Sequence, residues 1–139
     1  MALLGAFLAV PLLMAGAHAE TDQSDSIPYK KAVFSGLDKI TGRVSKFDAA
    51  VGGHTRFGVL DILVRACEKK PPEDPPQTAA YVEIRQTDEQ TGQVEEDPIF
   101  QGWMFAQSPG LNALEHPVYD VWVDDCKGKI PETPSKGQQ

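Results

Sequence analysis

The sequence predicts a mainly β protein: a small single-domain β-sandwich or open barrel of about six or seven strands, with one short helix and one disulfide. Three observations predict it. Apolar residues recur with period two through most of 29–126. Clusters of Gly, Pro and acidic residues cut that pattern into short runs, as in sheets joined by turns. The two cysteines of the chain, Cys67 and Cys126, each close an apolar run rich in Val. A chain of 139 residues, 41% apolar and 24% charged, is sized for one domain with one core and is too well mixed for global disorder.

Met1 to Ala19 reads as a signal peptide, with an apolar run ending at the small-x-small pattern Ala17-His18-Ala19 and polar residues from Glu20 onward. The run is short for a membrane span and contains Pro11. No Lys or Arg precedes Lys30, a departure that keeps an uncleaved signal anchor, or an upstream start, as the alternative. The leader is followed directly by Glu20 and not by a cysteine, which argues against a lipoprotein. The expectation is export to the periplasm with cleavage after Ala19, and no transmembrane segment thereafter.

Glu20 to Pro28 is polar and reads as a flexible lead-in to a β-rich domain over 29–126; Lys127 to Gln139 reads as a disordered tail. Ala32-Val33-Phe34 opens a first strand expected to break at Gly36, and Lys39–Phe47 holds a second after a Thr41-Gly42 kink. Gly52-Gly53 marks a turn. Arg56–Cys67 is the strongest strand: Leu60, Ile62, Val64 and Ala66 alternate with Asp61, Leu63, Arg65 and Cys67, so both faces carry apolar weight and the strand is central. Glu68–Pro76 (EKKPPEDPP) cannot join a ladder and reads as a stiff surface connector, with a proline-rich partner motif as the sharper alternative. Ala79–Gln86 and Ile99–Gln107 form a hairpin across the polar stretch Thr87–Pro98. Ser108–Pro117 predicts the short helix, with Ser108 as cap, Pro109 at its first position, and Leu111 and Leu114 on one face. Val118–Asp125 is the last strand, and no internal repeat is visible.

In an oxidising compartment the cysteines predict a structural disulfide; free thiols or a zinc site completed by His54 and His116 are the alternatives. The formal charge of −7, with no polybasic stripe, argues against nucleic acid as a partner.

FGVLDILVRAC at Phe57–Cys67, the proline-rich stretch, and FQGWMFAQSPGLNALEHPVYDVWVDDC at Phe100–Cys126 resemble a family of secreted alphaproteobacterial proteins, domain of unknown function 2155. The resemblance covers nearly the whole domain. It implies a periplasmic location and no assigned activity, with genes often near one for an accessory subunit of respiratory NADH dehydrogenase.

The densest polar–aromatic cluster contains Trp103, Ser108, Asn112, Glu115, His116, Tyr119, Asp120 and Trp122. Glu115-His116 offers an acid–base pair, and His116 with Asp120 a partial metal site. The plainer reading places His116-Pro117 at a corner, its imidazole satisfying a backbone group. Ser108-Pro109-Gly110 lacks the Gly-x-Ser-x-Gly frame of a nucleophile elbow, and Asp120, Asp124 and Asp125 form an acidic strand end that can attract Ca²⁺. Trp103 and Trp122, if they share a face, make an aromatic platform; if they point inward, they are core.

The favoured function is a non-enzymatic periplasmic binding or accessory module, monomer or small oligomer, engaging an envelope protein such as a respiratory-complex or cell-envelope component. Its candidate binding surface is Trp103, His116, Tyr119 and Trp122, with no catalytic residue, metal or cofactor assigned. The alternatives are a hydrolase or metal-dependent enzyme using His116 with Glu115 or Asp120, and a glycan-binding module using Trp103 and Trp122.

Overall fold

The computed structural model describes residues 25–131, so the expected leader, with its cleavage site at Ala19, and most of the expected tail lie outside the described residues. Eight strands run through them: β1 (Ile27–Asp38), β2 (Arg43–Ala50), β3 (His54–Phe57), β4 (Leu60–Lys69), β5 (Thr78–Gln86), β6 (Phe100–Phe105), β7 (Leu114–Glu115) and β8 (Tyr119–Lys129). All pairings between them are antiparallel. The sheet has the order β6-β5-β4-β1-β8-β7, with β2 also on β1 and β3 also on β4.

β1 is the seam. Ile27 and Pro28 pair with Lys69 and Glu68 of β4, whereas the rest of the strand pairs with β8 and β2. The single sheet therefore curls into a nearly closed barrel instead of splitting into a sandwich. Its two halves, β3-β4-β5-β6 and β2-β1-β8-β7, enclose a core in which Phe34, Leu60, Ile62, Ile84, Met104 and Val121 are fully buried. Burying a side chain of this kind is worth roughly 1.5–3 kcal/mol over leaving it in water.

The central strand carries an irregularity that the simple alternation does not anticipate. Val64 pairs with Val82 and Ala66 with Tyr81, so Arg65 is an extra residue, a β-bulge. The bulge reverses the facing of the residues beyond it: Cys67 is 2% exposed and joins Leu60, Ile62 and Val64 in the core. β8 repeats the device. Val33 pairs with Asp125 and Phe34 with Val123, which leaves Asp124 as the extra residue and turns Cys126 inward. The Cys67–Cys126 disulfide then ties the two bulged strands across the barrel, with Cα atoms 5.8 Å apart.

Several boundaries differ from expectation. β1 starts two residues inside the expected lead-in and runs through Gly36 without a break, and β8 extends to Lys129, past the expected domain end at Cys126. The backbone ladder satisfies these residues, so polarity alone does not end the strand. The second strand begins at Arg43 because Asp38–Gly42 is a hairpin turn. The Asp38 carboxylate accepts the N–H groups of Ile40 and Thr41 at 2.9 and 3.2 Å, and Gly42 takes φ +69°. Arg56–Cys67 is not one strand. Phe57 pairs with Leu60 across a two-residue turn whose first residue, Gly58, has φ +57°, the positive first position of a type II′ hairpin.

The short helix over Ser108–Pro117 does not form. Leu111 N–H donates to Ser108 O in a turn, and the chain then enters β7, where Leu114 pairs with Val121. A helix this short cannot repay its nucleation, and Gly110 and Asn112 weaken it further. Leu114 instead gains burial on the sheet, while Leu111 points into solvent, 76% exposed.

Candidate functional site

His116 sits at the corner between β7 and β8. Its backbone N–H donates to Tyr119 O at 2.9 Å, and Pro117-Val118 makes the turn. The Val118 N–H donates to Nδ1 at 3.1 Å, while Nε2 lies 3.3 Å from Gln86 Oε1. This pattern requires the proton on Nε2 and commits both ring nitrogens. The ring also stacks on Tyr119, with centroids 5.8 Å apart. Asp120 is held elsewhere: Lys39 Nζ lies 2.7 Å from its Oδ1 and donates to the His116 carbonyl at 2.8 Å. Glu115 is exposed on β7, opposite Asp120 in the ladder. His116, Glu115 and Asp120 thus share a corner without converging on a common point, and the imidazole satisfies a backbone group there.

The other polar candidates are similarly engaged. His54 opens β3 and contacts Asp61 through Nδ1 at 2.7 Å, far from His116 in the topology. Asp124 accepts from Ser35 Oγ at 2.5 Å and lies 3.4 Å from Lys46 Nζ, and Asp125 pairs with Lys69 at 2.6 Å. Burial raises the Asp125 carboxyl, but Lys69 and the Cys126 N–H outweigh it and hold the group below its ordinary range. Among the described residues no three His, Cys, Asp or Glu side chains gather as metal ligands.

The two tryptophans lie on different halves of the barrel. Trp103 is on β6 and meets Tyr81 of β5 edge-on at 5.4 Å. Trp122 is on β8 opposite Ser35 of β1. Both are half-buried, and the structure does not bring them onto one face. Tyr119 belongs to a different grouping, an aromatic ladder that climbs out of the core: Phe34, Phe47, Phe57, Tyr119 and His116, with successive centroids 5.6, 5.2, 5.3 and 5.8 Å apart. Stacked and edge-on contacts of this kind add about 0.5–1.5 kcal/mol each beyond burial. The ladder gives Tyr119 and His116 a packing role.

A surface that sequence reading passes over lies around Phe105. On one side is a groove of about 210 Å³ lined by Glu68, Lys70, Ala79, Trp103 and Phe105. On the other is a more apolar groove of about 410 Å³ lined by Pro75, Pro76, Gln77, Phe105 and Leu111. Phe105 and Gln77 border both. The proline-rich wall is anchored at its base, since Lys70 N–H donates to Gln77 O and Thr78 N–H to Gln107 Oε1. Prolines stiffen the rest, so the wall loses little entropy on contact. The signals were the Pro75-Pro76 pair and the alternate aromatics Trp103 and Phe105 of FQGWMF, but β5–β6 pairing is what brings them together.

Beside it, Glu83 carries a charged network. Arg65 from the bulge donates to its carboxylate at 3.1 and 3.4 Å, Arg85 at 3.1 Å and Gln101 at 3.4 Å. The Arg65 hydrogen bond, reinforced by Arg85, holds the carboxyl below its ordinary range against the opposing effect of burial.

The family model for an uncharacterized protein conserved in bacteria, domain of unknown function 2155, matches residues 32–126. An uncharacterized protein of Rickettsia prowazekii is 30% identical over 117 residues, covering 78% of this chain and 72% of the relative. No solved structure matches the chain.

Proposed function

Because the chain belongs to this uncharacterized bacterial family, we propose its function from the surface itself: a non-enzymatic binding or accessory module of the periplasm that engages an envelope protein through the face around Phe105. The observation that carries this reading is the doubled groove. It combines an exposed Leu111, a half-buried Trp103 and a rigid proline wall, the mixture of aromatic anchor and preorganised rim that partner surfaces use. The periplasmic address is supported by the leader-like Met1–Ala19 and by a disulfide of the kind that persists where thiols are oxidised. The non-enzymatic character is supported by His116, whose two ring nitrogens are spent on Val118 and Gln86.

The test is crosslinked capture from the periplasm with the wild-type protein and with Leu111→Asp. Leu111 is 76% exposed, so its replacement leaves the fold intact. The expected result is one species retained by the wild type and lost with the variant. Equal retention by both, or no species retained, overturns the reading. Osmotic-shock fractionation tests the address, with the released protein expected to begin at Glu20.

A further inference from the structure

The edge strand β6 is unguarded in a way that the other free edges are not. Its register with β5 runs without a bulge from Ile84↔Phe100 to Ala79↔Phe105, and among the described residues no strand pairs its far side. Ile99 to Gln107 contains neither a charge nor a proline. Proteins blunt such edges with charge, proline, bulges or cover. The other peripheral strands follow that rule: β2 carries Arg43, Lys46 and Asp48, β3 carries His54 and Arg56, and β7 carries Glu115.

The direction of the free backbone groups is set by the ladder. Ala106 N–H donates to Thr78 O, so the even-numbered residues face β5; Gln101 and Trp103 turn their N–H and C=O groups outward, and Phe105 its N–H, since the Phe105 carbonyl accepts from Ser108 N–H at 3.2 Å. We propose that two copies of this chain pair through their β6 edges, antiparallel, about a two-fold axis at Trp103.

That register sets Trp103 against Trp103 of the second copy and Gln101 against its Phe105. It is the register that engages all three residues, the Trp103 pair exchanging both bonds and each Phe105 N–H meeting the Gln101 carbonyl of the other copy, whereas a two-residue slip loses part of the ladder. Charge also selects a second copy. A chain of net charge −7 repels itself over most of its surface, and this uncharged edge is where apposition creates no like-charge pair. The contact is isologous and closes at two copies, which ends the exposed ladder without growing a fibre. The outer-face grooves beside Trp103 become neighbours across the axis. Self-pairing through β6 goes beyond the partner-binding reading and does not depend on it.

Sedimentation equilibrium of the purified protein tests it. The wild type is expected to approach a twofold rise in mass with concentration. Trp103→Lys and Trp103→Glu are each expected to remain monomeric, because like charges meet at the axis. Mixing the two variants in equal amounts is expected to restore the dimer, since Lys faces Glu in this register. Gln101→Pro gives an independent arm: it removes an outward N–H, which an edge strand tolerates, and is expected to be folded and monomeric. A wild type that is monomeric at every concentration overturns the proposal. So does a dimer that survives both Trp103→Lys and Gln101→Pro.

Discussion

The tip of the Phe57 ring occupies the space that a Cβ on Gly36 would need. Gly36 is therefore a packing position and not a strand break: β1 runs through it so that Phe57, the third ring of the aromatic ladder, can lie against the backbone. Gly36→Ala is expected to destabilise the fold by about 1–3 kcal/mol through overpacking. In a Phe57→Ala background the same change should cost far less, because the clash is gone and Ala suits a strand better than Gly. Denaturant unfolding of the four proteins in this cycle measures the coupling, and additive costs would show that the contact does not matter.

Tyr119 and His116 form the outer end of that ladder, and their role is predicted to be conformational. His116→Ala removes the acceptor of the Val118 N–H and the stack on Tyr119, an expected loss of about 1–2 kcal/mol. His116→Asn keeps a side-chain acceptor near the Val118 N–H and should recover part of it. Thermal unfolding of both variants decides this. An Asn variant as unstable as the Ala variant would remove the hydrogen bond from the explanation.

Glu83 makes the acid limb of stability predictable in sign. Its folded-state pKa is depressed chiefly by the Arg65 hydrogen bond, from an ordinary value of 4.5. A depressed carboxylate contributes stability that is present above that value and lost as the pH falls through the folded pKa. The wild type should therefore weaken from about pH 4.5 downward, and Glu83→Gln should show a shallower slope over the same window. The other depressed carboxylates, Asp48, Asp88 and Asp125, titrate in both proteins, so the difference isolates Glu83. Parallel curves would mean that the Arg65–Glu83–Arg85 network contributes nothing.

The strands were legible because period two survives in the sequence wherever one face is buried. The bulges were not. Strict alternation places Cys67 with Leu63 and Arg65, and the extra residue that turns it inward is an ordinary arginine with no local signature. The Gly58 hairpin was hidden for a related reason: its turn is Gly58-Val59 between Phe57 and Leu60, so apolar weight masks the polarity that usually marks a turn. A recurrent turn was legible in principle. Asp38-x-x-Thr41-Gly42 and Asp88-x-x-Thr91-Gly92 are the same device, with the carboxylate accepting the next two free N–H groups and the glycine at φ +69° and +71°. The Phe105 surface lay beyond sequence reading, since its walls are about thirty residues apart until β5 and β6 pair.

The disulfide is predicted to supply a large share of the stability because of what it joins. Cys67 and Cys126 are 59 residues apart in sequence, and each follows a bulge in one of the two strands that flank β1, the barrel seam. In the chain-entropy model, closing a loop of that length restricts the unfolded chain by about 4 kcal/mol. That is a large share of the about 5–15 kcal/mol by which such domains are stable. The paired substitution Cys67→Ala with Cys126→Ala should lower the unfolding free energy by about that amount, with a small further cost for the vacated sulfur volume. Denaturant titration with and without reductant measures it. Reduction should move the wild type close to the double variant and leave the variant unchanged. If reduction shifts neither, the bridge is not formed in the protein, and the inward turn of both cysteines must then be explained by packing alone.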